Sequence, residues 1–150
     1  MSVEENLKVV DASTKALNDH DLDRLGSFQL NSVIQRDPQH PEGIKGWEAI
    51  RAGLEPFLKA FPDIRSVTER QFGAGDWITQ LSYFQGTHTA PLELPGGPTI
   101  PATNKSVRLP VAFVSRLEGG KFAEINVYFD QMSMMAQLGL APQAPPPRKP

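Results

Sequence analysis

The chain has no cysteine in its 150 residues. That excludes disulfides, thiolate metal sites and cysteine nucleophiles, and it fits a reducing compartment, with the cytoplasm as the default expectation. No window approaches eighteen consecutive apolar residues, and the acidic, amphipathic start "MSVEENLKVV" has no basic region followed by an apolar run, so neither membrane insertion nor export is expected. An excess of positive charge is also lacking. Fifteen Lys and Arg against seventeen Asp and Glu leave a formal charge of -2 with both signs scattered, which is not the footprint of a nucleic-acid binder. Nor is there a "GxSxG" elbow, an "HExxH", a phosphate loop ending in Gly-Lys-Ser, or a cluster of acids and histidines at metal-ligand spacing. The sequence therefore gives no reason to expect a metal or an organic cofactor.

What is present suits one α+β domain over residues 1–140, followed by a proline-rich tail at 141–150 that is expected to be disordered. Leu7, Val10, Thr14 and Leu17 form one helical stripe, so residues 3–18 read as an amphipathic helix. Asp21 is placed to cap a short second helix, and "NSVIQRDP" reads as a brief strand stopped by Pro38. Residues 37–46 read as loop. Trp47, Ile50, Leu54, Phe57 and Phe61 then recur at helical steps, with a kink or a break expected at Pro56.

From Pro62 onward the pattern is that of strands: "DIRSVTERQF", "DWITQLSYFQGTHT", "KSVRLPVAFVSRL" and "KFAEINVYF". The glycine-rich turns "GAGD" and "EGG" predict antiparallel hairpins, and the long "APLELPGGPTIPATN" between them predicts a surface flap. A last helix is expected from Asp130 to Leu138. Helices first and strands afterwards imply a curved antiparallel sheet with helices on one face and a pocket between the layers.

Asp130 stands where an aromatic strand turns into that last helix. Two roles suit it: an N-cap that accepts bonds from the next turn, or a proton-transferring carboxylate. Regular alternation places Glu124, Asn126, Tyr128 and Asp130 on one face of the strand and His88 on a face with Gln80, Ser82, Phe84 and Gly86. That face of Asp130 is equally consistent with a pocket and with solvent. Arg36 offers a planar fork of donors for a carbonyl or carboxylate, or a partner for a nearby acid. Tyr83, Phe84, Trp47, Phe57, Tyr128 and Met132 supply bulk for a core or for the wall of a pocket, with Asn126 beside them.

Four strings carry a family likeness: "VIQRDP" at 33–38, "GIKGWEAIRAGLEPFLKAFPD" at 43–63, "GTHTAPLELPGGPTIPATNKSV" at 86–107 and "EGGKFAEINVYFDQMSMMAQLGL" at 118–140. In this order they resemble the SnoaL-like polyketide cyclases of the nuclear transport factor two-like superfamily. The resemblance implies a conical α+β fold with an apolar cavity, often a homodimer through the outer face of the sheet, and cofactor-independent aldol-type ring closure. It implies Asp130 as general acid or base and His88 as the matching histidine, with a small hydrophobic carbonyl compound as substrate. Arg36 stands where family members often carry a histidine, and Ile125-Asn126 where they often carry histidine and tryptophan. The alternative is a module of the same fold that binds a small ligand or a second copy without turnover.

Overall fold

The computed structural model describes residues 1–94 and 96–140. The expected tail at 141–150 lies outside the described residues. Helices α1 (Val3–Asn18) and α2 (Leu22–Ser27) come first, then strands β1 (Gln29–Asp37) and β2 (His40–Lys45) and helix α3 (Trp47–Ala60). Strands β3 (Arg65–Ala74), β4 (Trp77–Thr87), β5 (Leu92–Glu93), β6 (Thr99–Ile100), β7 (Ser106–Glu118) and β8 (Lys121–Phe129) follow, and α4 (Gln131–Gln137) closes the described chain.

Local chemistry sets most of these boundaries. Ser2 and Glu5 form a reciprocal capping box that starts α1, and Asp21 caps α2 by accepting from the Arg24 amide. Pro56 sits inside α3, which is one helix, so of the expected kink or break the break is not formed. Residues 40–45, expected as loop, form β2. "HPEGIK" has little intrinsic strand preference, and β2 exists because it pairs antiparallel with β1 and Asp37 folds the connecting turn by accepting from the Gln39 and His40 amides.

The six-stranded sheet runs β2-β1-β8-β7-β4-β3. The two expected hairpins are β3–β4 and β7–β8, both antiparallel. One pair departs from the antiparallel expectation: β1 lies parallel to β8, with Arg36 opposite Asn126. The flap between β4 and β7 carries its own two-stranded ribbon, β5–β6.

Helices cover one face. α1 lies on β3 and β4, α3 on β1, β2 and β5, and α4 on β7. Inward residues of several elements meet in one cluster of Val10, Val33, Ile50, Ile78, Leu117 and Phe122, and a second cluster joins Ala60, Phe61, Leu92, Val107 and Leu138 at the flap end. Side chains also tie helices to exposed strand edges. Asn18 of α1 exchanges two bonds with the Ser66 backbone at the start of β3, at 2.7 and 2.9 Å. β8 ends opposite Val111, and beyond that point the Gln137 amide of α4 takes its place against β7, accepting from the Arg108 amide and donating to the Arg108 carbonyl.

Candidate functional site

The register fixes which residues look toward the helices. Ser82 pairs with Val111 and Val111 with Phe129, so the inner face of the central strands carries Phe84, Leu109, Val111, Phe113, Ile125, Val127 and Phe129. Leu109, Val111 and Val127 are buried there. Phe84, Phe113, Ile125 and Phe129, with Met134 of α4, are only half-buried although they sit on the helix-covered side. The Phe84 and Phe113 rings meet edge to face, 5.7 Å apart. Leu54 and Leu58 of α3 are half-buried as well. These half-buried side chains form an incompletely covered apolar surface on the inner face of the sheet. Gln35, paired with Ile125 and Ile44 and half-buried, joins the buried Gln80, Ser82 and Ser115 as polar side chains on that face. The sequence contained the signal for Gln35: Val33 is core, so alternation turns residue 35 inward and Arg36 outward.

Asp130 caps α4. Its Oδ1 accepts from the Met132 amide at 2.9 Å and the Ser133 amide at 3.3 Å, and the residue is exposed. No group among the described residues bonds Oδ2. Asp130 stands between Phe129 and Met134, both packed on the inner cluster.

His88 lies on the inner face and is 0% exposed. Its ring stacks on Phe61 with centroids 5.1 Å apart. Nδ1 accepts from the Thr103 amide at 3.2 Å and faces the Thr103 hydroxyl at 3.0 Å, which places the ring proton on Nε2. Burial lowers its pKa, a shift partly offset by the Ala90 backbone. The backbone around it closes the flap: the His88 amide donates to Lys105, and the Asn104 amide donates to His88. This is a neutral, packed imidazole that holds the two ends of the flap together.

Arg36 is on the opposite, outer face, ion-paired to Glu124 at 3.2 Å. The Glu124 carboxyl is held below its usual range first by the Asn126 amide, then by Arg36 and Arg116, against an opposing desolvation. The expected grouping of Asp130, His88 and Arg36 in one pocket is therefore not formed. Arg36 pairs in register four residues before Asp130, roughly 13 Å away along the strand at 3.3 Å per residue. His88 lies on the inner face and Arg36 on the outer one.

The residues expected to line the pocket also divide between the two faces. Phe84, Phe57 and Trp47 pack on the interior side. Asn126, Tyr128 and Tyr83 lie on the outer face, where Asn126 bonds Glu124 and the Val114 carbonyl, and Met132 is 61% exposed on α4. The physical reason is parity: Glu124, Asn126 and Tyr128 do share a face, and the helices pack on the other one. Tyr83 and Tyr128 flank an outer groove of about 240 Å³ floored by Pro110 and Ala112, with Leu81 and Glu69 on its sides. Arg108 stacks over the Tyr83 ring at 3.8 Å. Among the described residues there is no group of three or more His, Asp or Glu able to hold a metal ion, and no helix is long and apolar enough to cross a membrane.

Helices packed on one face of a curved, mostly antiparallel sheet define an α+β fold that solved structures share. AclR from Streptomyces galilaeus, a proposed hydroxylase, superposes with a TM-score of 0.81 at 19% identity over 97% of this chain and 91% of that one. IdmH from Streptomyces antibioticus, a proposed polyketide cyclase, gives a TM-score of 0.74 at 23% identity over 89% and 98%. A protein from Catenulispora acidiphila with a ketosteroid isomerase-like fold gives 0.70 at 19% over 91% and 97%. At these identities the likeness is one of fold. No curated protein matches the chain by sequence. The family profile of SnoaL-like polyketide cyclases matches residues 7–138, and the chain belongs to that family.

Proposed function

We propose that the chain takes a small hydrophobic, carbonyl-bearing molecule against the half-buried apolar side chains of the inner face and moves a proton on it without a cofactor, with Asp130 as the acid and base. The observation that supports this reading is that Oδ2 of Asp130 meets no donor among the described residues, while Nδ1 of His88 and the guanidinium of Arg36 are engaged elsewhere. A carboxylate that removes a proton beside a carbonyl and returns it at another atom serves an aldol-type ring closure or an isomerisation equally well.

The test is exchange of the α-protons of an aromatic β-keto ester for deuterium, followed by NMR as acceleration over buffer. Asp130→Asn keeps the cap, since asparagine caps about as well as aspartate, so stability changes little while exchange falls by about 100-fold or more. Asp130→Ala loses about 1 kcal/mol of stability as well. Full exchange activity in the asparagine variant would remove Asp130 from the chemistry.

A second reading, ligand holding without turnover, is supported by the exposure of Asp130 and by the two amides on its Oδ1. It expects ligand-induced thermal stabilisation, unchanged in Asp130→Asn, and no exchange in either protein.

Both readings accommodate a homodimer through the outer face. Leu81 is opposite Ala112 and Ala112 opposite Tyr128, and with exposed Phe72 and Trp77 this is an apolar surface rimmed by Arg36, Arg108 and Arg116. Leu81→Arg is expected to shift the chain from dimer to monomer in light scattering after size exclusion, because a charge buried without a partner opposes association. An unchanged mass would exclude this face as the interface.

A further inference from the structure

The groove on the outer face takes no part in the inner-face chemistry. Its shape follows from the register. Tyr83 of β4 and Tyr128 of β8 are separated by one strand, β7, and so stand about 10 Å apart across the sheet at the usual strand spacing. Between them β7 offers only Pro110 beside Tyr83 and Ala112 beside Tyr128, both too short to fill the gap. The result is a slot walled by two phenol rings. The Arg108 guanidinium stacked on Tyr83 steadies one wall. Tyr128 is 58% exposed and Leu81 40%, so the slot leaves apolar surface in water.

The geometry points to residues 141–150 of this same chain as the segment that fills the slot. Their sequence, "APQAPPPRKP", is half proline. Grooves between aromatic rings recognise proline-rich segments, because a polyproline II helix is already extended and loses little entropy when it docks. Pro142 and Pro145 have the three-residue spacing that puts two prolines on one side of such a helix.

The end of α4 supplies the reach and the direction. The Gln137 side chain bonds both backbone groups of Arg108 on the edge of β7 that β8 has left, so the chain departs beside Arg108. Gly139, at φ 74, then turns it away from the helix, with the Gly139 and Leu140 amides donating to Ala136 and Met135. From Leu140 to Pro146 a polyproline II segment spans about 19 Å. Arg108 to Ala112 is about 13 Å along β7, which leaves length for rounding the sheet edge. Pro145, Pro146 and Pro147 therefore reach the slot. Charge fixes the orientation. Beyond the tyrosines the groove is lined by exposed Glu69, which sits in the β3 bulge opposite Leu81 and Ser82 and is the one charged liner among the described residues. A tail entering at Arg108 delivers Arg148 and Lys149 to Glu69, whereas the reverse path sets them against Arg108. A second copy of the chain would need the same tyrosines, so the tail and a dimer through this face exclude each other.

The lack of cysteine makes the test direct. In the full chain, Ala144→Cys creates a single site for a nitroxide label, which broadens nearby backbone amides in NMR spectra of dilute protein. Leu81, Ala112 and Tyr128 are expected to broaden strongly while Val10 and Ile50, on the helix side, are spared. Replacing Pro145, Pro146 and Pro147 together by glycine is expected to abolish that pattern, and Arg148→Glu with Lys149→Glu to weaken tail occupancy about fivefold. All of these substitutions lie outside residues 1–140. Broadening confined to the surroundings of Gly139 and Arg108, or a pattern that survives the glycine substitutions, would overturn the assignment. So would the same pattern in an isotope-labelled chain mixed with a separate spin-labelled one, because the occupant would then be the tail of a second copy.

Discussion

Phe61→Ala is expected to lower the stability of the chain by about 3–5 kcal/mol, read from urea unfolding followed by tryptophan fluorescence. Phe61 is 2% exposed and ends α3, where its amide closes the last turn on the Phe57 carbonyl. It packs with Ala60, Leu92, Val107 and Leu138, so helix α3, the flap, β7 and α4 all meet on one ring, which also stacks on His88. Truncation removes the apolar area and leaves a hole that four separate elements would have to close together. Phe72→Ala is the control. At 57% exposure that ring should contribute little to the stability of the isolated chain. A loss below about 1 kcal/mol for Phe61→Ala would mean that the flap end of the core is not packed in this way.

The second large effect is a dependence on pH. Burial lowers the His88 pKa below its ordinary value, so between the folded and unfolded pKa values the unfolded chain binds a proton that the folded chain refuses. Stability must therefore rise with pH across that window and reach its full value above the unfolded pKa of about 6.5. On acidification below that point it is lost, at a slope approaching about 1.4 kcal/mol per pH unit for a whole proton. His88→Leu should remove this slope from the difference between the two unfolding profiles, even though the variant also loses the Thr103 bonds and is less stable throughout. Parallel profiles from about pH 7 to about pH 5 would show that His88 charges in place.

Much of the fold was legible because the relevant forces are local. The stripe of α1, the Asp21 and Asp130 caps and the two glycine turns are short-range signals, and each element they predict is present. β2 was not legible, since "HPEGIK" becomes a strand only through the partner it finds in β1. The parallel β1–β8 pair is equally non-local, joining Gln35 to Ile125 and Arg36 to Asn126 far along the sequence. For the candidate site, parity was readable and side was not. Alternation grouped Glu124, Asn126 and Tyr128 correctly, but only the packing of α1, α3 and α4 decides which face is covered. That is why Tyr83, Tyr128 and Asn126 stand outside while Phe84 and Gln35 look inward.

The strand order carries one more consequence, for the birth of the protein. β1 is among the first elements made and its permanent neighbour β8 is among the last, so the edge of β1 that β8 will cover stays open through most of synthesis. The β1–β2 hairpin is complete early, yet Val33 and Ile50 lack Leu117 and Phe122 to pack against until the β7–β8 turn has left the ribosome. Closure of the sheet is then a late step joining distant parts of the chain, of the kind that slows folding and leaves an unpaired strand edge open to wrong partners in the meantime.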